Sequence, residues 1–127
     1  MPASTNIPLL QGICDNFPAY DTYFLRSLQD EIIQRKAPYQ GLKIVHNTHI
    51  NLATVCKLLP LLFSGAEITV TSTENLQSMP SIIKQLKAAG VHFSEPEYLK
   101  DDFDISLDCG GGLYGKVTPR IGAIELT

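Results

Sequence analysis

Gly41-Leu42-Lys43-Ile44-Val45-His46-Asn47-Thr48-His49-Ile50-Asn51 is the stretch on which the fold turns. Leu42 to Val45 is a short apolar run suited to a strand buried on both faces. It leads directly into a polar loop, His46 to Asn51, and Asn51 then caps a helix that reaches about Ser64. Gly65 stands where a C-terminal glycine is expected. A second polar loop, Asp108-Cys109-Gly110-Gly111-Gly112, follows the strand-like Asp104-Ile105-Ser106-Leu107. In an open parallel sheet, ligands bind beyond the carboxyl ends of the strands, where the strand order reverses. If these are the first and fourth strands, the two loops face each other across that crevice.

The rest of the chain fits around this pair. Residues 1–16 read as irregular, with Pro2, Pro8 and Gly12 as breakers. Asp21 caps a helix to about Lys36, in which Phe24, Leu25, Leu28, Ile32 and Ile33 recur at helical spacing. Pro38 and Gly41 end it. Pro60 removes one interior hydrogen bond from the helix after Asn51 and predicts a kink there. Ala66 to Thr71 reads as the second strand. Ser78 caps a third helix, with Pro80 in its first turn and Gly90 beyond its end. Val91 to Phe93, Phe103 to Leu107 and Ile121 to Leu126 complete the strands. Strands alternating with helices imply β-α-β units and a parallel sheet. Right-handed crossovers then favour the order 3-2-1-4, a three-layer α/β domain preceded by a helix.

Composition narrows the function classes. The 127 residues suit one domain, with 1–40 as a helical arm and 41–127 as the α/β core, and 44% of the chain is hydrophobic. Net charge is −3 and the ten basic residues do not cluster, so no nucleic-acid footprint is visible. The longest apolar stretch, Leu58 to Phe63, is too short to span a bilayer, so no membrane contact is expected. Met1 to Gln11 does not read as a signal peptide. Three scattered cysteines, Cys14, Cys56 and Cys109, support neither a disulfide framework nor a zinc ribbon, and a reducing cytoplasm is the expected compartment.

The crevice supplies the candidate chemistry. His46 and His49 stand at the end of the first strand, where one of them can hydrogen-bond a ligand hydroxyl or move a proton; alternatively both hold the loop together. Cys109 is a candidate nucleophile if its thiolate is stabilised. His46, His49 and Cys109 are metal-ligand types, but their spacing matches no metal motif and no metal is expected. Gly110, Gly112 and Gly115 satisfy G-x-G-x-x-G in letters, yet Val117-Thr118-Pro119 is a poor helix start, and a dinucleotide fingerprint must open a helix. The lysine of a phosphate loop needs Ser or Thr after it, where Val117 stands. The glycines instead let backbone pass close to a ligand or a neighbouring segment. Asp101, Asp102 and Asp104 read as a solvated acidic loop. Glu125 lies on the crevice side of the last strand.

Three anchors in order resemble the substrate domain of the S-adenosylhomocysteine hydrolase family. Gly41 to Thr54 followed by Gly65-Ala66-Glu67-Ile68 is similar to that family's G-x-x-I-x-x-x-x-H-M-T-V-[EQ]-T and L-G-A-E-V. Leu107 to Leu113 resembles its L-D-D-G-G-D-L, and Gly122 to Thr127 its G-x-x-E-E-T. The resemblance implies a Rossmann-like substrate-binding domain, a nucleoside-like ligand, and NAD bound by a further domain beyond Thr127, with no cofactor in this chain. It places His49 close to sugar and sulfur, and Thr54 and Glu125 on matching family positions. Asp108 keeps the first aspartate of D-D-G-G-D, whereas Cys109 replaces the second, an acid-base residue. Asn51 replaces a substrate-contacting threonine, Ala53 the residue that reads adenine, and Leu126 the functional glutamate. The expected site is therefore His49, Asn51, Thr54, Asp108, Cys109, Gly110 and Glu125, with His49 and Cys109 as catalytic candidates. The rival expectation is a regulatory or partner-binding module that has lost this site. Self-association into a homo-oligomer stays open.

Overall fold

The computed structural model describes residues 7–16, 19–72 and 79–126, and within these the side chains of 19–22 are left undescribed. The helix over Ala19–Gln34 has Asp21 within its first turn and not at the cap expected of it, and Ser78 lies outside the described residues. Four helices and five strands follow in the order α1 (Ile7–Asp15), α2 (Ala19–Gln34), β1 (Lys43–Asn47), α3 (Leu52–Phe63), β2 (Glu67–Thr71), α4 (Pro80–Ala88), β3 (His92–Phe93), β4 (Ile105–Asp108) and β5 (Gly122–Glu125). A 3-10 turn at Pro96–Tyr98 precedes β4. All pairings are parallel, and the strand order is β3-β2-β1-β4-β5. The expected 3-2-1-4 order holds, with β5 added outside β4. The chain is an α/β protein with a parallel Rossmann-type sheet.

Registered partners in a parallel sheet point their side chains to the same face. Ile44 pairs with Ile68 and Ile105, and His46 with Val70 and Leu107. This face meets the helices: Leu10 and Cys14 of α1, Val55, Leu58, Leu59 and Leu62 of α3, and Ile82, Ile83 and Leu86 of α4 share one core with Ile44, Ile68 and Val70. The other face carries a smaller cluster of Val45, Phe103, Leu113 and Val117, with Leu99 against it. Turns and loops make that third layer, and no described helix lies on it.

Residues 7–15 are helical where the sequence reads as irregular. Pro8 sits in the first turn, where a missing N–H is harmless. Burial of Leu10 and Cys14 against α3 outweighs the glycine at position 12. On α2, Ile32 is buried and Leu25 and Leu28 are half-buried, but Phe24 is exposed (78%) although it shares their helical spacing. Pro60 lies inside α3 without ending it. His46 and Asn47 belong to β1 itself, and Asp108 to β4, so the two polar loops begin later than the sequence suggests. β1 occupies the sheet centre, where buried partners on both sides keep its polar residues in the ladder.

Asp101, Asp102 and Asp104 form a tie rather than a free acidic loop. Asp104 accepts from the Lys43 backbone N–H (2.8 Å) and from Arg120 Nε (2.7 Å). Asp102 accepts from Lys43 Nζ (2.7 Å) and Arg120 Nη1 (2.9 Å), and Asp101 from the Thr118 N–H (2.7 Å). Lys43 first and Arg120 second hold the Asp102 carboxyl below its ordinary value, and Arg120 does the same for Asp104. The network fixes the starts of β1 and β4 and the connection into β5.

Candidate functional site at the carboxyl ends of β1 and β4

The direction of winding reverses between β1 and β4, and their carboxyl ends are joined. The Cys109 N–H donates to Asn47 O (3.2 Å), and Asn47 Nδ2 donates to Asp108 Oδ1 (2.9 Å). Register places Thr71, Asn47, Asp108 and Glu125 in one row across β2, β1, β4 and β5, on the face without helices. Asp108 Oδ2 accepts from the Leu113 N–H (2.9 Å), which folds the glycine loop back over the strand end. Glu125 Oε1 accepts from the Gly110 N–H (2.8 Å). Gly110, Gly111 and Gly115 all have positive φ, near 86°, 74° and 78°. The loop continues as turns, with no helix after it.

The expected residues are thus gathered at one end of the sheet, but several have structural duties. Asn51 Oδ1 accepts from the Thr54 N–H, and Thr54 Oγ1 accepts from the Asn51 N–H, both at 3.1 Å, a reciprocal cap on α3. Thr54 Oγ1 also donates to His49 O (2.5 Å). Both Asp108 oxygens are engaged. His49 is exposed at the loop surface and Cys109 is partly exposed. A cavity of about 630 Å³ opens on the helix-free face of β4 and β5. Asp108 and Glu125 line it together with Leu113, Tyr114, Val117 and Ile124; His49, Asn51, Cys109 and Gly110 do not.

His46 differs most from its expected place in an open loop. It is 1% exposed, on the helix side of β1, with Nδ1 3.1 Å from Leu107 O. A carbonyl only accepts, so Nδ1 carries the proton of a neutral ring. Burial first, and the nearby Lys57 charge second, push its pKa down to about 4. A neutral donor locked to the sheet cannot shuttle protons at neutral pH.

Sequence reasoning missed Lys57, Asn47 and Thr71. Lys57 is the single charge in an otherwise apolar α3, and that isolation was the available signal. Its Nζ donates to Thr48 Oγ1 (2.8 Å), it is half-buried, and burial lowers its pKa. Thr71 Oγ1 is buried without a hydrogen-bond partner. Among the described residues no three His, Cys, Asp or Glu side chains converge as a metal site, and no helix is long and apolar enough to cross a membrane.

No protein-family model and no curated protein matches the chain. Among solved structures it is similar to L-tryptophan dehydrogenase from Nostoc punctiforme, with TM-score 0.47, 19% identity, and coverage of 76% of this chain and 33% of that one. It is also similar to CAD from Helicobacter pylori, a structure complexed with NADP(H), with TM-score 0.46, 11% identity, and coverage of 77% and 29%. The chain spans about a third of the length of these two proteins.

Proposed function

We propose that this chain is the substrate-binding α/β domain of an adenosylhomocysteinase-like protein, taking a nucleoside thioether at the β1–β4 crevice. The observation that carries the reading is the adjacency of β1 and β4 in the sheet. It brings together the two anchors of the family resemblance, the His49 loop and the Asp108–Gly112 loop, which lie about sixty residues apart in the chain. The N-terminus of α3 adds a partial positive charge at the same end. His49 is exposed at the rim and can meet ligand hydroxyls. Ala53 offers no polar group to a purine edge, and each unpaired polar edge costs about 1–3 kcal/mol, so base discrimination is weak.

The glycine loop of this chain does not fit the pyrophosphate of NAD. It opens no helix, so it offers no helix N-terminus to a pyrophosphate. Redox chemistry is therefore assigned to a domain outside these residues, and this chain alone binds without turnover. Titrating adenosine and S-adenosylhomocysteine while following amide chemical shifts tests the reading, with shifts expected at 46–54 and 108–113. Shifts confined elsewhere end the site assignment. Hydrolysis of S-adenosylhomocysteine by this chain with added NAD ends the binding-only assignment.

One observation favours a second reading, a non-catalytic module. Asn51 and Thr54 are committed to the α3 cap and Asp108 to Asn47 and Leu113, so three residues that the resemblance assigns to substrate serve the fold instead. An absence of any shift in the same titration supports that module.

A further inference from the structure

The crossover from β4 to β5 carries no helix. Parallel neighbours are usually joined through one, but residues 109–121 run as turns and bends. The cavity of about 630 Å³ lies where such a helix would pack, and its size suits a small-molecule site. Its floor is not made for a helix. Register sets Ser106 beside Ala123 and Asp108 beside Glu125, so small and acidic side chains stand where a covered parallel sheet carries large apolar ones. Apolar surface comes instead from the loop, through Leu113 and Val117, which also pack with Val45 and Phe103. Tyr114 stands at the mouth, 93% exposed. The charge at this site has one sign. No Lys, Arg or His is among the described residues that line it. Lys116 belongs to the same loop but does not line the cavity, and Arg120 is taken by Asp102 and Asp104. Asp108 is 7% exposed, and its two oxygens are met by neutral donors, Asn47 Nδ2 and the Leu113 N–H. A buried carboxylate is favoured further by a cation, and an anionic ligand is repelled.

We propose that this cavity binds a small aromatic amine, with its ring between Leu113 and Val117 under Tyr114 and its ammonium against Asp108 and Glu125. A carboxylate accepts about four hydrogen bonds, so the ammonium adds to the bonds from the Gly110 and Leu113 N–H groups without breaking them. The walls supply apolar burial, Tyr114 supplies an aromatic face, and the floor supplies acceptors for a donor that carries positive charge. The inference goes beyond the proposed nucleoside role and does not depend on it, because His49, Asn51, Cys109 and Gly110 do not line this cavity.

Phenethylamine, phenethyl alcohol and phenylacetate share a ring and differ in the charge they bring. Each is titrated into the full chain at pH 7 while amide chemical shifts are followed. The amine is expected to shift amides of 106–108, 113–119 and 123–125. It is expected to bind about tenfold tighter than the alcohol, the step from a neutral hydrogen bond to a charge-assisted one. Phenylacetate is expected to bind most weakly. Glu125→Gln keeps an acceptor for the Gly110 N–H and removes the charge, so it is expected to narrow the gap between amine and alcohol. Ala123→Leu fills the floor at an exposed strand position and is expected to abolish binding of the amine. In the wild-type chain, equal affinity for amine and alcohol overturns the proposal, as does tightest binding of phenylacetate, and that comparison needs no variant. Amine shifts confined outside the three segments, or no shifts at all, overturn it as well. A folded Ala123→Leu chain that binds the amine as wild type does is equally fatal to it.

Discussion

His46 shows how one residue's environment sets a property of the whole fold. Its neutral ring is buried on the helix side of β1 and faces the Lys57 charge, so the folded pKa lies near 4 against an ordinary 6.5. The unfolded chain therefore binds a proton that the folded chain refuses. The stabilisation is complete above pH 6.5 and is lost as pH falls through about 4, a change of about 3 kcal/mol. Asp102 and Asp104 have carboxyls held low by their cationic partners, so the stability they add is present above the ordinary carboxylate pKa and is lost only at more acidic pH. Urea unfolding of wild type at pH 7 and pH 4 is expected to show the loss, and His46→Gln to flatten it. An unchanged slope in the variant rejects the assignment. The residue type and its nearness to the strand end were legible in the sequence. Its direction was not, because a strand one or two residues longer turns a loop histidine into a core histidine.

At the scale of the element, α3 carries most of the local logic. Asn51 and Gly65 were readable as its ends from capping preference alone, and both ends form there. Sequence did not show what the end of α3 packs against. The Tyr39 N–H donates to Ser64 O (2.8 Å), which presses the turn before β1 onto the helix terminus. A Cβ on Gly65 would lie 3.1 Å from Ala37 Cβ and 3.2 Å from Gln40 Cα, at a φ of +84°. Gly65→Ala therefore meets both left-handed strain and a backbone atom that cannot yield. Gly41, at φ +91°, has nothing within 4 Å of such a Cβ and bears the strain alone. Each variant loses about 1–2 kcal/mol from the left-handed conformation, and Gly65→Ala loses more. Thermal unfolding of the two variants compares them; equal loss shows that the turn gives way. The helix at Ile7–Asp15 was illegible for a related reason. Pro8 and Gly12 are breakers by local preference, and only the α3 surface that buries Leu10 and Cys14 overrides that preference.

Across the whole molecule, burial runs downhill from the sheet centre to β5. β1 is buried from Ile44 to Asn47, whereas Ala123, Ile124 and Glu125 are exposed and Ile121 is 65% exposed beside them. Strand order was readable from the alternation of strands and helices, since crossover handedness leaves few arrangements. The one-sidedness of the helical layer was not, because loops between β3 and β5 carry no period that tells which face they cover. A strand with little burial opens locally at less than the global free energy. Backbone amides of 122–125 are therefore expected to exchange with deuterium well before those of 44–47, despite lying in the same sheet. The Glu125–Gly110 bond joins this loose edge to the crevice. On the proposed function, a ligand seated at the glycine loop is expected to favour the closed edge and, by mass action, to raise protection at 122–125 as its concentration passes the dissociation constant. Exchange measured with and without adenosine reads both statements. If β5 and β1 exchange together, the gradient of stability is wrong. If β5 is loose but adenosine leaves it unprotected while shifting amides at 46–54, the ligand sits on the β1 side and Glu125 serves only to hold the loop.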